Sequence, residues 1–251
     1  MSTKRLSSVR SRAVRPPPTD PRPKNHLLAA LPPKDLRRLL PYLKTVPIHL
    51  KQVLHKPGER LRAVYFLNGG VASLTTMLSD GRMVEATTVG NEGMLGIEAF
   101  LGADAVAPGK TLVQVSDGDA EMLRVEDFRR ELATRGALYD LMGRYTQVII
   151  AQLMQSTACS VMHQVRERCA RWLLMTHDRM HEQDFTLSHE FLAVMLGVRR
   201  PTVSIAAAAL QEAGLIRYTH GRVMVRNRAG LKMASCECYS SIRTHFERLR
   251  Q

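Results

Sequence analysis

The sequence predicts an α+β chain in which an antiparallel β barrel or sandwich is followed by a long helix and a C-terminal winged helix-turn-helix. Three observations carry this. Residues 46–125 alternate short β-prone pieces with turn residues, residues 127–160 switch to an apolar 3–4 spacing, and residues 186–225 set two helical patterns around a glycine ahead of a hairpin.

Residues 1–25 hold Arg5, Arg10, Arg12 and Arg15, then Pro16-Pro17-Pro18, Pro21 and Pro23, with almost no large apolar residue. Such a stretch cannot bury enough surface to offset its ordering entropy. It reads as a disordered basic arm, either lending non-specific DNA affinity or inert. Residues 26–45 read as a short helical entry through Leu27, Leu28, Leu31, Leu36, Leu39, Leu40 and Leu43. The β-prone pieces are residues 52–54, 64–67, 71–78, 83–89, 111–115 and 121–125, with Pro57-Gly58, Asn68-Gly69-Gly70 and Asp80-Gly81 between them. Asp80-Gly81 between two alternating runs predicts a two-residue hairpin of type I′, which needs positive φ at both central positions. Six or more short strands without intervening helices imply an antiparallel barrel or sandwich.

Phe128 and Leu132 open the helical region. In residues 137–160, Leu138, Leu141, Tyr145, Val148 or Ile149, and Gln152 or Leu153 keep the 3–4 spacing. A helix of ~24 residues spans ~36 Å. That exceeds what a small barrel needs for its own cover, which leaves a stripe for a partner helix and predicts a homodimer; packing wholly within one subunit is the alternative.

Residues 161–251 complete the chain. Ser188 is a suitable N-cap before Leu192, Met195 and Leu196, and Gly197 supplies a turn. Arg199-Arg200-Pro201-Thr202 opens a second helix with Pro201 in its first position, and Val203, Ala206 or Ala207, and Leu210 form its inward face. After Gly214, Leu215–Tyr218 and Val223–Val225 flank His220-Gly221 as a two-stranded wing. Arg199 and Arg200 are poor caps at the positive end of a helix dipole. Two arginines there make chemical sense opposite phosphates or guanine edges.

Charge agrees with this division. The chain has 36 Lys+Arg against 23 Asp+Glu, a net of +13. Residues 1–25 carry seven basic and one acidic residue, residues 26–160 fifteen and fourteen, and residues 161–251 fourteen and eight. The excess at the C-terminal end points to a polyanionic partner. No apolar run approaches the roughly 18–20 residues a bilayer needs, and no signal-peptide core follows the basic start. The expectation is a cytoplasmic protein that does not engage a membrane.

Gly197-Val198-Arg199-Arg200-Pro201-Thr202-Val203-Ser204, ending in Gly214-Leu215-Ile216, resembles the helix-turn-helix of Crp/Fnr-type bacterial transcription regulators. Pro57-Gly58-Glu59, Val64-Tyr65-Phe66-Leu67, Gly70-Val71, Asp80-Gly81-Arg82 and Val89-Gly90-Asn91-Glu92-Gly93-Met94-Leu95-Gly96 resemble that family's β-roll. The resemblance spans residues 27–235. It implies a jelly-roll-like, cyclic-nucleotide-binding-like β-roll over residues 26–136, a dimerisation helix over 137–160, and a winged DNA-binding domain over 161–251. It also implies a homodimer on a two-fold operator in double-stranded DNA, with RNA polymerase as a further partner and no enzymatic activity. By position, Arg200 matches the family's principal base-reading arginine and Thr202 a phosphate contact. Pro201 and Ile205 fall where relatives often place a base-reading Glu and Arg. Ile205 is then a candidate for a thymine methyl or for packing on the wing, and Ser204 for a base edge. Ser188, His189 and Arg222 match backbone-phosphate positions.

Relatives that bind cyclic nucleotides carry Gly-Glu and, several residues on, Arg-Ser/Thr. This chain has Gly96-Ile97-Glu98, no Arg between Leu95 and Val115, and Lys110 as its single cation there. Glu98 and Lys110 are the effector-site candidates. Lysine lacks arginine's bidentate fork, so cyclic AMP is not the expected effector. Iron–sulfur sensing in relatives uses N-terminal cysteines, and here the four cysteines are Cys159, Cys169, Cys236 and Cys238. On one continuous helix Cys236 and Cys238 stand about 200° apart and cannot share a metal. Cys238 then continues a core stripe of Leu231, Ala234, Ile242 and Leu249, and Cys236 falls outside it as an exposed, redox-sensitive thiol. His177 and His181 lack a third ligand, so no metal site and no cofactor is expected, although the nine histidines leave a haem role open. A rival reading is a cupin-like metal enzyme with a helical appendage; His49 and His55, six apart, do not supply its paired histidines.

Overall fold

The computed structural model describes residues 23–102, 104–115, 118–180 and 184–249. The expected basic arm lies almost wholly outside these, as does His181. Asn25 starts the first helix, α1 (His26–Ala29), by accepting from the N–H groups of Leu27 and Leu28. Its amide donates to the carbonyls of Leu67 and Gly93 at 2.9 and 2.8 Å, which fastens the entry to the sheets that follow. Then come α2 (Pro33–Leu39) and a 3-10 turn, Leu40–Tyr42.

Eight strands form two four-stranded antiparallel sheets: β1 (Lys44–Pro47), β2 (Val53–His55), β3 (Ala63–Leu67), β4 (Val71–Met77), β5 (Met83–Val89), β6 (Met94–Leu95), β7 (Lys110–Val115) and β8 (Asp119–Arg124). One sheet runs β1-β8-β3-β6 and the other β2-β7-β4-β5, a jelly-roll-like β-roll. Val64, Phe66, Val71, Leu95, Val113 and Leu123 are buried between them. A short helix, α3 (Glu98–Leu101), follows β6. The β4–β5 hairpin departs from expectation. Gly81 has φ +83° but Asp80 does not have positive φ, and the Gly81 N–H donates to Leu78. Leu78 in turn donates to Arg82, so the loop is a five-residue turn closed by a left-handed glycine instead of a two-residue type I′ turn.

The next helices are α4 (Val125–Ala133) and α5 (Ala137–Met162), the latter 26 residues long. α5 lays Leu138, Leu141, Met142, Tyr145, Ile149 and Gln152 on the β-roll. The Tyr145 hydroxyl donates to the Met94 carbonyl at 2.8 Å and accepts from its N–H at 3.0 Å, while Gln152 donates to the Thr88 carbonyl at 3.0 Å. The opposite stripe of α5 is exposed: Ile150, Met154 and Val161 are 52%, 69% and 78% accessible.

After α5 come α6 (Val165–His177), β9 (Asp184–Thr186), α7 (His189–Leu196), α8 (Arg200–Glu212), β10 (Ile216–Thr219), β11 (Arg222–Val225), α9 (Arg228–Ala234) and α10 (Cys238–Leu249). Two expectations are corrected. The wing is a three-stranded sheet ordered β10-β11-β9, because Asp184, Phe185 and Thr186 pair with Met224, Val223 and Arg222. The C-terminal helix is broken: Ser235 is extended at φ −86°, ψ 157°, which ends α9 and places Cys236 in a connection before α10. Among the described residues no single helix is long and apolar enough to cross a membrane.

The C-terminal module is seated on the β-roll by a buried arginine just past α6. Arg179 donates to Glu92 through Nε at 3.1 Å and Nη2 at 2.5 Å, and to the Thr88 hydroxyl at 2.7 Å. Gly90 leaves the room this requires, since a Cβ there would overlap the Arg179 side chain and the Glu92 carboxylate. With both ends of Arg179 fixed, Gly90→Ala is expected to cost about 1–3 kcal/mol of stability, the usual penalty for overpacking. Guanidinium titration of the variant would measure it.

Candidate nucleic-acid interface

The two helices of the motif meet at 106°, within the range of helix-turn-helix pairs. Ser188 caps α7 by accepting from the Phe191 N–H at 3.1 Å. Gly197 ends it at φ +63°, and the Val198 N–H returns to the Ala193 carbonyl. That left-handed residue is what turns the chain into α8 within three residues. α8 begins with Arg200 in its first position and Pro201 in its second, one step later than expected. Arg199 is the N-cap residue and makes no capping bond, and no acidic residue lies in the first turn. The positive end of the α8 dipole therefore stands beside two exposed guanidinium groups. Neither Arg199 nor Arg200 has an ion pair among the described residues.

α8 turns Val203, Ala206, Ala207 and Leu210 inward. Pro201, Thr202, Ile205 and Ala208 form its exposed face, and Ile205 is 72% exposed, so it does not pack on the wing. Ser204 faces the other way: its hydroxyl donates to the Arg200 carbonyl at 3.2 Å and lies 2.9 Å from Nδ1 of His189. The His189 ring lies tilted against Tyr218, centroids 4.4 Å apart, with burial and then the Arg200 charge lowering its pKa. Its Nε2 is buried and without a hydrogen-bond partner among the described residues. His189 and Ser204 are thus struts joining α7, α8 and the wing, and Ser188 spends its hydroxyl on the cap.

Arg222 on β11 pairs with Asp184 on β9 at 2.7 Å. The wing turn is the hairpin with left-handed residues in both central positions, His220 at φ +50° and Gly221 at φ +76°. Arg217 on β10 is an exposed cation that sequence reasoning did not single out. Its place on an edge strand directly after α8 is the signal that would have found it.

Beneath this module lies Glu85 of β5. It accepts hydrogen bonds from Ser73, from Gln114 at 2.8 Å and from the Trp172 indole of α6 at 3.2 Å. Gln114 also reaches the Met195 sulfur of α7, and Val84 packs under Gly197. The first helix of the motif is therefore docked on the β-roll while the outward face of α8 stays exposed. Burial raises the Glu85 carboxyl to about 7 against the opposing pull of Ser73, Arg171, Trp172 and Arg179.

The effector candidates stand on different elements. Glu98 opens α3, half-buried and with burial raising its carboxyl. Lys110 opens β7, where its backbone carbonyl accepts from Thr75 at 2.9 Å. No hydrogen bond or ion pair joins these two side chains among the described residues. The cysteine reading is corrected: Cys236 is buried, not exposed, and the break before α10 sets it and Cys238 beside Cys159.

Residues 167–234 match the family model of the Crp-like helix-turn-helix domain. Among solved structures the chain is similar to FixK2 from Bradyrhizobium japonicum, at 17% identity and TM-score 0.65, covering 77% of this chain and 98% of that one. It is also similar to TTHB099, a transcriptional regulator of the CRP family from Thermus thermophilus, at 25% identity and TM-score 0.60 over 76% and 96%. A third is the c-di-GMP-responsive global regulator CLP of Xanthomonas campestris, at 16% identity and TM-score 0.60 over 76% and 98%. No curated protein matches the chain in sequence.

Because folding raises the Glu85 pKa above its unfolded value, folding favours the protonated carboxyl. That contribution is full below about 4.5 and is lost as pH rises through about 7. Over this window the chain is expected to lose up to ~3 kcal/mol from Glu85 alone. Denaturant titrations at stepped pH should show that loss removed in Glu85→Gln, and equal slopes for the two proteins would count against it.

Proposed function

We propose that this chain, a Crp/Fnr-type transcription regulator by its fold and its Crp-like helix-turn-helix domain, binds a palindromic operator as a homodimer. The observation that carries the reading is the pair Arg199 and Arg200, exposed at the uncapped positive end of α8 and without an ion pair among the described residues. Arg200 reads guanine through O6 and N7, and Thr202 and Arg199 hold phosphates. Ile205 presents an apolar contact to a thymine methyl. Arg217 and the Asp184-steadied Arg222 carry the wing to the backbone. Ser188, His189 and Ser204 keep α7, α8 and β10 in register behind these contacts.

The dimer forms along α5. Gly143, Gln147, Ile150, Met154, Thr157 and Val161 follow each other at spacings of four and three, the pattern of a coiled-coil seam. Its large apolar members Ile150, Met154 and Val161 are exposed. In this reading the protein acts in the cytoplasm and engages RNA polymerase at its promoters. The β-roll serves as scaffold or sensor without taking cyclic AMP, since no arginine lies between Leu95 and Val115 to grip a cyclic phosphate and Lys110 lacks the bidentate fork. A cupin-like enzyme finds no support: His49 is exposed, and His55 spends Nε2 on the Ala63 carbonyl at 3.0 Å.

Selection of bound DNA from a random pool by the purified chain, followed by fluorescence titration, tests the reading. Arg200→Ala is expected to cost ~1–3 kcal/mol of discrimination at one base pair per half-site, whereas Arg199→Ala weakens all sequences alike and lowers the salt slope by about 1. An Arg200→Ala protein with unchanged affinity and selectivity would exclude this register. Ile150→Glu places a charge in the seam, so sedimentation should report a monomer whose operator affinity falls more than about tenfold.

A further inference from the structure

Cys159 and His163 stand four residues apart at the end of α5, on one face. Across from them, the break between α9 and α10 presents Cys236 and Cys238. The Cys159 and Cys236 sulfurs are 3.5 Å apart, and the Cys238 sulfur is 3.6 Å from Nδ1 of His163. All four donor atoms lie within 4.8 Å of one another. With Zn–S bonds of about 2.3 Å and Zn–N of about 2.0 Å, a tetrahedral ion sets its sulfurs ~3.8 Å apart and its sulfur and nitrogen ~3.5 Å apart. The Cys159–Cys236 and Cys238–His163 separations are close to these values, and the free thiols stand well beyond the ~2.05 Å of a disulfide. The three buried thiols also form a cluster of their own, separate from the main core.

The surroundings match a metal's outer shell. Nε2 of His163 lies 3.2 Å from the Glu237 carboxylate, leaving Nδ1 turned to the sulfurs. This is the carboxylate–histidine–metal arrangement that fixes a ligand's tautomer. Gln155 donates to the Cys238 sulfur at 3.0 Å. Arg168 and Arg171 bring positive charge to Cys159, which suits three thiolates whose charge one divalent ion leaves at −1.

We propose that Cys159, His163, Cys236 and Cys238 bind one zinc ion in a closed, structural site that clasps the end of α5 to the start of α10. Three soft thiolates and one imidazole in tetrahedral array select zinc over oxygen-seeking cations, and four protein ligands leave no position open for catalysis.

The test uses the full chain purified under reducing conditions without chelator. Elemental analysis is expected to find about one zinc per chain. Cobalt exchanged into the site should give the visible bands of a tetrahedral, thiolate-rich centre, and C236S and C238S should lose both signals. E237Q keeps all four ligands, so it should fold with zinc bound and yield it to a competing chelator at ~10–100-fold weaker affinity. A reduced chain that takes up neither zinc nor cobalt overturns the proposal. So does a metal-free chain with a Cys159–Cys236 disulfide, stoichiometric iron in place of zinc, or an E237Q protein with unchanged zinc affinity.

Discussion

The buried guanidinium of Arg179 constrains the arrangement of the molecule more than any other group. A charge taken out of water is tolerated only when its donors are satisfied and its countercharge is close. Here all the acceptors come from the β-roll: the Glu92 carboxylate, the Thr88 hydroxyl and the Thr88 carbonyl. The reading module can therefore sit in one place, because sliding it along the sheet would strand a buried cation. The segment Gly90-Asn91-Glu92-Gly93 follows from the same demand. Gly90 gives the arginine room, Asn91 accepts from His26 of α1, Glu92 carries the countercharge, and Gly93 admits the Tyr145 ring. Four consecutive residues thus tie the entry helix, the long helix and the DNA-reading module to one edge of the roll.

Much of this was legible in the sequence because burial on one face leaves a periodic trace. The strands of the roll, the long helix and the two helices around Gly197 could all be read from spacing. What escaped were features decided by a few dihedrals or by distant partners. Asp80-Gly81 and His220-Gly221 look alike as turn dipeptides, yet only the second has positive φ at both residues, since its strands end directly against it. The third wing strand is three residues long with polar ends, too short to show alternation. Ser235-Cys236-Glu237 sits inside an apolar stripe that runs on in helical register from Leu231 to Leu249, and that continuity concealed the break. The same continuity hides the meeting of Cys236 and Cys238 with Cys159 and His163, although Cys159-x3-His163 is itself a spacing that puts two ligands on one helix face.

Among the site residues, those named from position fall into two physical groups. Arg199, Arg200, Thr202 and Ile205 stand out from the module, whereas Ser188, His189 and Ser204 are consumed within it. The exposed face of α8 is consequently poor in hydrogen-bonding groups, with Pro201, Ile205 and Ala208 where polar readers would give direct contacts. In the proposed reading, a helix of that kind would draw its selectivity from one bidentate arginine, a methyl contact and the deformability of the DNA between its phosphate contacts. The folded module fixes the placement of these groups, because His189 is wedged between Ser204 and Tyr218 and cannot swing out without leaving both.

α6 lies between two anchors. At its start, His163 and the three thiols bind the end of α5 to the start of α10; just past its end, Arg179 locks onto the roll. Its 13 residues span ~20 Å, so each anchor constrains a different end of a stiff rod. In the proposed dimer, the separation of the two recognition helices would depend on how each module is angled from α5, and half-site spacing tolerates little error. A single anchor would leave the rod free to pivot about it. Two anchors at opposite ends remove that freedom, so in the proposed dimer the angle between the α5 seam and α8 would be set before DNA arrives, and the ordering cost of binding would fall on the side chains at the groove.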